Sequence, residues 1–229
     1  MNIVITGTSR GIGKYLASYY TQKGHSVYGC SRNEPESSSP FVDPLYYHHM
    51  CLDVTDEEQV KEFSSHIYGV DVLINNAGIS SMNHSLLTPI STVRKIIDTN
   101  FVATFIFSQY MAKLMNDTGR IINLSSVAYP MMLEGESVYS ASKAAVVALT
   151  QIMARELAHR GITVNAIGPT PIKTDLIKGV PEKKMDEVLQ RQAIKRYGTF
   201  EDISNVIDFL IKPESNFITG QTIYLGGVS

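Results

Sequence analysis

Residues 2–13 read NIVITGTSRGIG, an apolar run of strand length that turns through three glycines into a helical stretch. The run from Asn2 to Thr6 is β-branched and apolar, and Gly7, Gly11 and Gly13 enclose Ser9, Arg10 and Ile12 in the turn. Glycines at a strand-to-helix turn let the backbone amides of the helix N-terminus approach a pyrophosphate, an approach that a Cβ would block. The spacing is G-x3-G-x-G rather than the usual G-x-G-x-x-G, and a tight turn that binds nothing would look much the same. Its place directly after the first strand favours the dinucleotide reading.

Outward from this turn, strand-like runs alternate with helix-period segments to the end of the chain. After the first run they fall at 25–31, 47–54, 71–78, 119–126, 162–169 and 221–227. They are rich in Ile and Val and barely alternate, as suits strands buried on both faces of a parallel sheet. Gly24 is placed to close the first helix. Thr55-Asp56-Glu57-Glu58 predicts a capping box opened by Thr55. Further helices are expected at 92–116, 138–160, 182–196 and 201–211. Such alternation implies a doubly wound α/β fold with helices on both sheet faces. No linker or repeat divides it, so 1–229 reads as one domain. NEPESSSP (33–40), followed by Asp43-Pro44, reads as a surface loop.

Composition excludes several classes. Twenty Lys plus Arg against 22 Asp plus Glu give a net charge of −2, with no basic excess to meet nucleic acid or anionic lipid. Apolar residues make up 44% and charged ones 18%, a globular balance. Two cysteines, Cys30 and Cys51, make no secreted-type disulfide framework. With no signal-like or membrane-spanning run, a cytoplasmic protein is expected.

The end of the second strand carries Cys30-Ser31-Arg32. An acidic residue there would accept the ribose hydroxyls of NAD. A guanidinium with a neighbouring hydroxyl instead suits the 2′-phosphate of NADP, and Arg10 is placed to reach the same phosphate. Solvated arginines are the plainer alternative.

Tyr139-x3-Lys143 puts a phenol and an ammonium on one helix face. A phenol titrates near 10 and serves at neutral pH only if its anion is stabilised, which a neighbouring cation does. Alone the pair is a weak signal. Ser126, at the carboxyl end of the fifth strand, places a hydroxyl beside it. Asn100 stands inside an otherwise apolar helix, where Asn has poor propensity and needs partners if buried.

Together these residues resemble the short-chain dehydrogenase/reductase family over essentially the whole chain. The resemblance rests on TGTSRGIG, Asp53 in CLDV, Asn75-Asn76-Ala77-Gly78, Asn100, Ser126, Tyr139-x3-Lys143 and ITVNAIGP ending at Pro169. It implies a doubly wound Rossmann fold with a single, mostly parallel seven-stranded sheet, and the Ser31-Arg32 reading makes NADP(H) the expected cofactor. It assigns proton transfer to Tyr139, with Lys143 lowering its pKa and holding the nicotinamide ribose. Ser126 would polarise the carbonyl, and Asn100 would keep a water in a relay to Lys143. Asp53 and Val54 would meet the adenine, Asn76, Ala77 and Gly78 the adenosine side, and Pro169, Ile172 and Thr174 the nicotinamide.

The tail from Arg196 is similar to 3-oxoacyl-acyl-carrier-protein reductases, which implies reduction of a ketone to a secondary alcohol. A 3-oxoacyl thioester or related β-keto compound comes first as substrate, a keto-sugar or other small ketone second. A non-catalytic NADP(H) sensor or scaffold is the rival of another class. It would have no reason to keep Ser126, Asn100, Tyr139 and Lys143 together. Extended-type epimerases or dehydratases share Tyr-x3-Lys but are longer. Thr170 replaces the family's usual Gly, so the backbone there is expected to differ locally. Met115–Gly119 lacks the basic residues of carrier docking, although Arg160 falls where a second would stand, so such docking is disfavoured. A homotetramer or dimer through the helices at 92–116 and 138–160 is implied.

Residues 171–197 read as the substrate loop. Its seven basic and four acidic residues between 173 and 196 suit a solvated amphipathic helix better than anion steering. Met131 and Met132 are either pocket wall or ordinary packing. His48 and His49 should face opposite sides of a strand, so His48-His49-x-Cys51 is read as no metal site. Cys30 and Cys51 are expected to be two buried thiols.

Overall fold

A computed structural model describes residues 1–34 and 45–228 of the chain. Most of the proposed loop 33–40, and Asp43-Pro44, lie outside them. The elements run β1 (Asn2–Thr6), α1 (Gly11–Gln22), β2 (Ser26–Ser31), β3 (Tyr47–Cys51), α2 (Glu57–Ser65) and β4 (Val70–Asn75). Then follow α3 (Ile90–Ile97), α4 (Ala103–Leu114), β5 (Met115–Leu124), α5 (Ala128–Met131) and α6 (Ser137–Glu156). The chain closes with β6 (Thr163–Gly168), α7 (Glu182–Gln190), α8 (Phe200–Ile211) and β7 (Thr222–Tyr224).

The seven strands form one sheet in the order β3-β2-β1-β4-β5-β6-β7, every pair parallel. The expected sheet is thus found, wholly rather than mostly parallel. Chain order reverses between β1 and β4, and the crevice beyond their carboxyl ends is where open α/β sheets bind ligands.

The strand sequences explain the two layers of helices. Ile3 and Ile5 pack on one face with Leu16 and Tyr20 of α1 and Ile203, Ile207 and Leu210 of α8. Val4, between them, packs on the other face with Val60 and Phe63 of α2 and Phe107 and Met111 of α4. The same alternation recurs in β4, with Val72 and Ile74 on the first face and Leu73 on the second. Each such side chain, fully buried, contributes ~1.5–3 kcal/mol, so neither face tolerates a polar register.

Several local readings are corrected. The helix after β3 is capped by Asp56, whose Oδ1 accepts from the amides of Glu58 (3.1 Å) and Gln59 (3.2 Å). Thr55 instead donates its hydroxyl to Asp53 (2.8 Å). A capping box does occur, at Thr199 and Asp202 of α8. The helix expected at 92–116 is α3 and α4 joined through a wide π turn, Asp98–Val102, that contains Asn100. The helix expected at 182–196 ends at Gln190.

Strand β5 begins at Met115, four residues earlier than expected, and the guanidinium of Arg160 holds that corner. It donates to the carbonyls of Ala112 (2.7 Å) and Met115 (2.6 Å). Arg160 is therefore engaged within the fold rather than displayed for a partner. Cys30 is buried as expected, but Cys51 is exposed, and both are free thiols. Among the described residues, no helix is long and apolar enough to cross a membrane.

Candidate active site

The glycine turn is built against the segment that follows β4. The Thr6 hydroxyl accepts from the amides of Asn76 (3.0 Å) and Ala77 (2.9 Å). The Asn76 side chain donates to the Thr6 carbonyl (2.8 Å) and the Gly7 carbonyl (3.2 Å). Gly7 has φ +76°, and a Cβ on it would stand 2.9 Å from the Ala77 Cα. A Cβ on Gly13 would stand 2.2 Å from the Gly7 carbonyl oxygen. Thus two of the three glycines are required by the protein's own packing, whatever the turn binds. Arg10, at the N-cap of α1, makes no side-chain cap. Gly11 and Ile12 border the cleft there, so the helix N-terminus offers amides to an anion.

Behind β4 a buried chain of amides steadies the floor. Asn75 donates to Asn123 (2.8 Å) and Ser108 (2.9 Å), and Asn123 donates to Thr150 (2.9 Å). These bonds tie β4 and β5 to α4 and α6.

One cleft of about 1770 Å³ runs along the carboxyl edge of the sheet. It is bordered by Gly7, Ser9, Arg10, Gly11, Ile12, Ser31, Arg32, Asp53, Val54, Asn76, Ala77, Gly78, Ser126, Tyr139, Lys143, Pro169, Ile172 and Thr174. Of the residues singled out from the sequence, Gly13 and Asn100 stand behind its wall.

At the outer end, Arg32 is exposed. Asp53 sits near it, and burial pushes that carboxyl up. Bonds from the Thr55 amide and hydroxyl, with the charges of Arg32 and Lys95, more than reverse the effect and hold it below the usual carboxylate range. Two expectations change here. The Ser31 hydroxyl turns inward and donates to the Asn33 carbonyl (2.8 Å). The Arg10 guanidinium lies 3.8 Å from Asp175, which also pairs with Lys178.

At the inner end, the first two turns of α6 present Tyr139 and Lys143 on one face. The Ser126 hydroxyl faces the Tyr139 phenol and draws its pKa down, and its oxygen accepts from the Ala128 amide (3.1 Å). Lys143 is 4% exposed and donates to the Leu124 carbonyl (2.7 Å). Its Nζ lies 5.7 Å from the centre of the Tyr139 ring. Burial governs both groups: it pushes the phenol up to about 12 and the ammonium down to about 8. The neighbouring Ser126 hydroxyl pulls the phenol down and the Glu136 charge pushes it further up. The expected lowering of Tyr139 by Lys143 is therefore not realised in this geometry, because the ammonium is held by a backbone carbonyl.

Asn100 is fully buried and binds Ile79 twice, accepting from its amide (2.8 Å) and donating to its carbonyl (2.9 Å). Its amide also reaches the Ser142 hydroxyl (3.0 Å). The side chain thereby ties the segment after Gly78 to α6, and its hydrogen-bonding capacity is largely used in doing so.

The inner end of the cleft also holds residues that sequence reading missed. Glu136 is 7% exposed and borders the cleft three residues before Tyr139. Ser80 donates to it (3.3 Å) and the Lys184 charge faces it, yet burial dominates and raises the carboxyl to about 7. Nothing in the run LEGES marks Glu136 as buried; only the fold brings α6, Ser80 and Lys184 around it. Thr170 bonds Gln192, and Arg191 bonds the Met131 carbonyl, so the stretch after α7 is fastened to the segment that follows β6 and to α5. Met131 is buried packing, whereas Met132, at φ +47°, is exposed and borders the cleft.

A family model described as enoyl-(acyl carrier protein) reductase matches residues 7–228. The chain is 35% identical over 235 residues to 3-oxoacyl-[acyl-carrier-protein] reductase FabG of Staphylococcus epidermidis, covering 98% of this chain and 96% of that one. Among solved structures, 4-hydroxyisoleucine dehydrogenase complexed with NADH superposes with a TM-score of 0.91 at 29% identity, covering 100% of this chain and 98% of that one. Ligand-free aldohexose dehydrogenase of Thermoplasma acidophilum gives a TM-score of 0.87 at 28% identity, covering 99% and 93%.

Proposed function

The chain belongs to the short-chain dehydrogenase/reductase family, oxidoreductases acting on carbonyl and alcohol groups, and from that premise we propose that it is an NADPH-dependent ketone reductase. The observation that carries the proposal is the Ser126–Tyr139–Lys143 group at the inner end of a cleft whose other end is the glycine turn. At about 1770 Å³ the cleft exceeds the ~300–1,000 Å³ of a drug-sized ligand pocket, room for a dinucleotide and a second molecule.

The residues fit the cofactor. Uncapped amides open α1 at Gly11 and Ile12 beside the cleft, and Arg32 supplies an exposed guanidinium where a 2′-phosphate would lie. Ile172 and Thr174, beyond Pro169, would hold the carboxamide. When bound, the nicotinamide supplies the hydride that reaches the ketone carbon.

The chain's own residues do the rest. Ser126 donates to the carbonyl oxygen and stabilises the charge that gathers there. Tyr139 gives that oxygen its phenolic proton, the Ser126 hydroxyl eases the release, and the Lys143 ammonium, held by the Leu124 carbonyl, would bind the nicotinamide ribose. Asn100 holds the Ile79 backbone against α6, the helix that carries Tyr139 and Lys143.

A 3-oxoacyl thioester or related β-keto compound is the first substrate reading, supported by the FabG likeness. No carrier-protein contact is assigned, because Arg160 is engaged within the fold. One observation favours a second reading, a ketone bearing a hydroxyl or amino group: the buried Glu136 carboxyl opposite Ser80 would accept from such a group. NADPH oxidation with acetoacetyl-CoA, beside the same assay with NADH, tests both parts. Turnover strongly preferring NADPH is expected. Equal or better turnover with NADH would overturn the cofactor assignment. Turnover only with a polyhydroxylated ketone would replace the first substrate reading by the second.

A further inference from the structure

Strand β3 carries YHHMC, and its period of two separates the histidines. The His48 ring stacks on Tyr28, centres 4.9 Å apart. His49 and Cys51 share the other face, and a third donor that the strand alone does not reveal comes from Glu34, just beyond β2. Cys51 Sγ lies 3.3 Å from one Glu34 carboxylate oxygen, and His49 Nδ1 lies 3.5 Å from the other. The three donor atoms all lie within 4.8 Å of one another. Ligands bonded at ~2.0–2.3 Å around a tetrahedral zinc stand roughly 3.3–3.8 Å apart.

The histidine is poised toward the other two donors. Its side chain is 7% exposed, and Nδ1 has no hydrogen-bond partner. Ser31 gives its only hydroxyl proton to the Asn33 carbonyl, so its oxygen accepts from His49 Nε2 (2.9 Å). That places the ring proton on Nε2 and leaves a bare lone pair on Nδ1, aimed at the Glu34 carboxylate. Two acceptors face each other there, an arrangement that a shared cation joins. A hydrogen-bonded second nitrogen is also how metal-bound imidazoles are oriented.

We propose that Glu34, His49 and Cys51 form a binding site for a zinc-type divalent cation at the outer end of the cleft. A nitrogen, sulfur and oxygen donor set favours zinc over calcium or magnesium, and three protein ligands leave a fourth position for water. Binding requires Cys51 as thiolate, so its proton passes to solvent; nothing is oxidised or reduced. The inference does not depend on the cofactor or substrate reading.

The test is titration of the metal-stripped full chain with cobalt(II), followed by zinc competition. One equivalent should produce a thiolate-to-cobalt charge-transfer band with the strong visible absorption of tetrahedral cobalt, and zinc should abolish both. Ser31→Ala should weaken binding by ~10–100-fold. Cys51→Ser should weaken it more and remove the charge-transfer band. His48→Ala should leave both unchanged, and thermal melting establishes that each variant is folded. Absence of the band in the folded wild-type protein would mean that only a proton joins His49 to Glu34, and would overturn the proposal. Persistence of the band in Cys51→Ser would overturn it equally.

Discussion

Replacing Glu136 by Gln should stabilise the protein, and by an amount that grows with pH. The Glu136 carboxyl ordinarily titrates near 4.5 and is raised to about 7 in the folded chain, chiefly by burial. Between those values the native state holds a proton that the unfolded chain releases, so stability falls as pH rises through that window. At 1.36 kcal/mol per unit, the wild-type protein bears a penalty of roughly 3 kcal/mol above pH 8, and under about 1 kcal/mol at pH 5. Glutamine has nearly the same shape and does not ionise. The advantage of Glu136→Gln should therefore increase by about 2–3 kcal/mol between pH 5 and pH 8, or about 5–10 °C in Tm for a domain of this size. Urea denaturation of both proteins at the two pH values measures it. An advantage that is the same at pH 5 and pH 8 would refute the reasoning. Because the Glu136 charge also raises the Tyr139 phenol, the same variant should move the alkaline limb of the rate profile to lower pH.

Arg32→Ala should raise the KM for NADPH about 10–100-fold, the loss of a charge-assisted bond of ~1.5–3 kcal/mol, and leave NADH within about twofold; an unchanged preference would remove Arg32 from the cofactor site. Gly13→Ala gains up to ~1 kcal/mol of helix propensity but drives a Cβ to 2.2 Å from the Gly7 carbonyl oxygen. Overpacking of ~1–3 kcal/mol should win, with a lower Tm and weaker NADPH binding; a raised Tm would contradict that packing. Arg160→Ala leaves the carbonyls of Ala112 and Met115 without their partner and should destabilise by ~1–3 kcal/mol, read by urea denaturation, with kcat for a free thioester substrate unchanged.

The parallel sheet was legible because Ile, Val and Leu fill both faces of β1 and β4, as strands covered by helices on both sides require. The glycine turn, Ser126 and the Tyr139–Lys143 pair were legible because each depends on spacing within one segment. What lay beyond reach depends on distant segments meeting. Glu136 becomes a buried acid only when α6 packs near Ser80 and Lys184. Glu34 joins His49 and Cys51 only across the β2–β3 pairing. The Thr55 cap failed for a local reason: Asp53, two residues earlier, takes the Thr55 hydroxyl and leaves the helix end to Asp56. The expected effect of Lys143 on Tyr139 failed because proximity along a helix does not say which acceptor an ammonium will choose, and here it is the Leu124 carbonyl.

The most direct test of the proposed chemistry is transfer of deuteride from 4-deuterated NADPH to a 3-oxoacyl thioester or a polyhydroxylated ketone, measured by mass spectrometry for the wild-type chain and Tyr139→Phe. The wild-type protein should yield an alcohol carrying one deuterium at the former carbonyl carbon. The variant should bind NADPH with similar affinity and form that alcohol ~10²–10⁴-fold more slowly. Equal rates in the two proteins would contradict the assignment of Tyr139 as the proton donor and, with it, the reading of this cleft as a ketone reductase site.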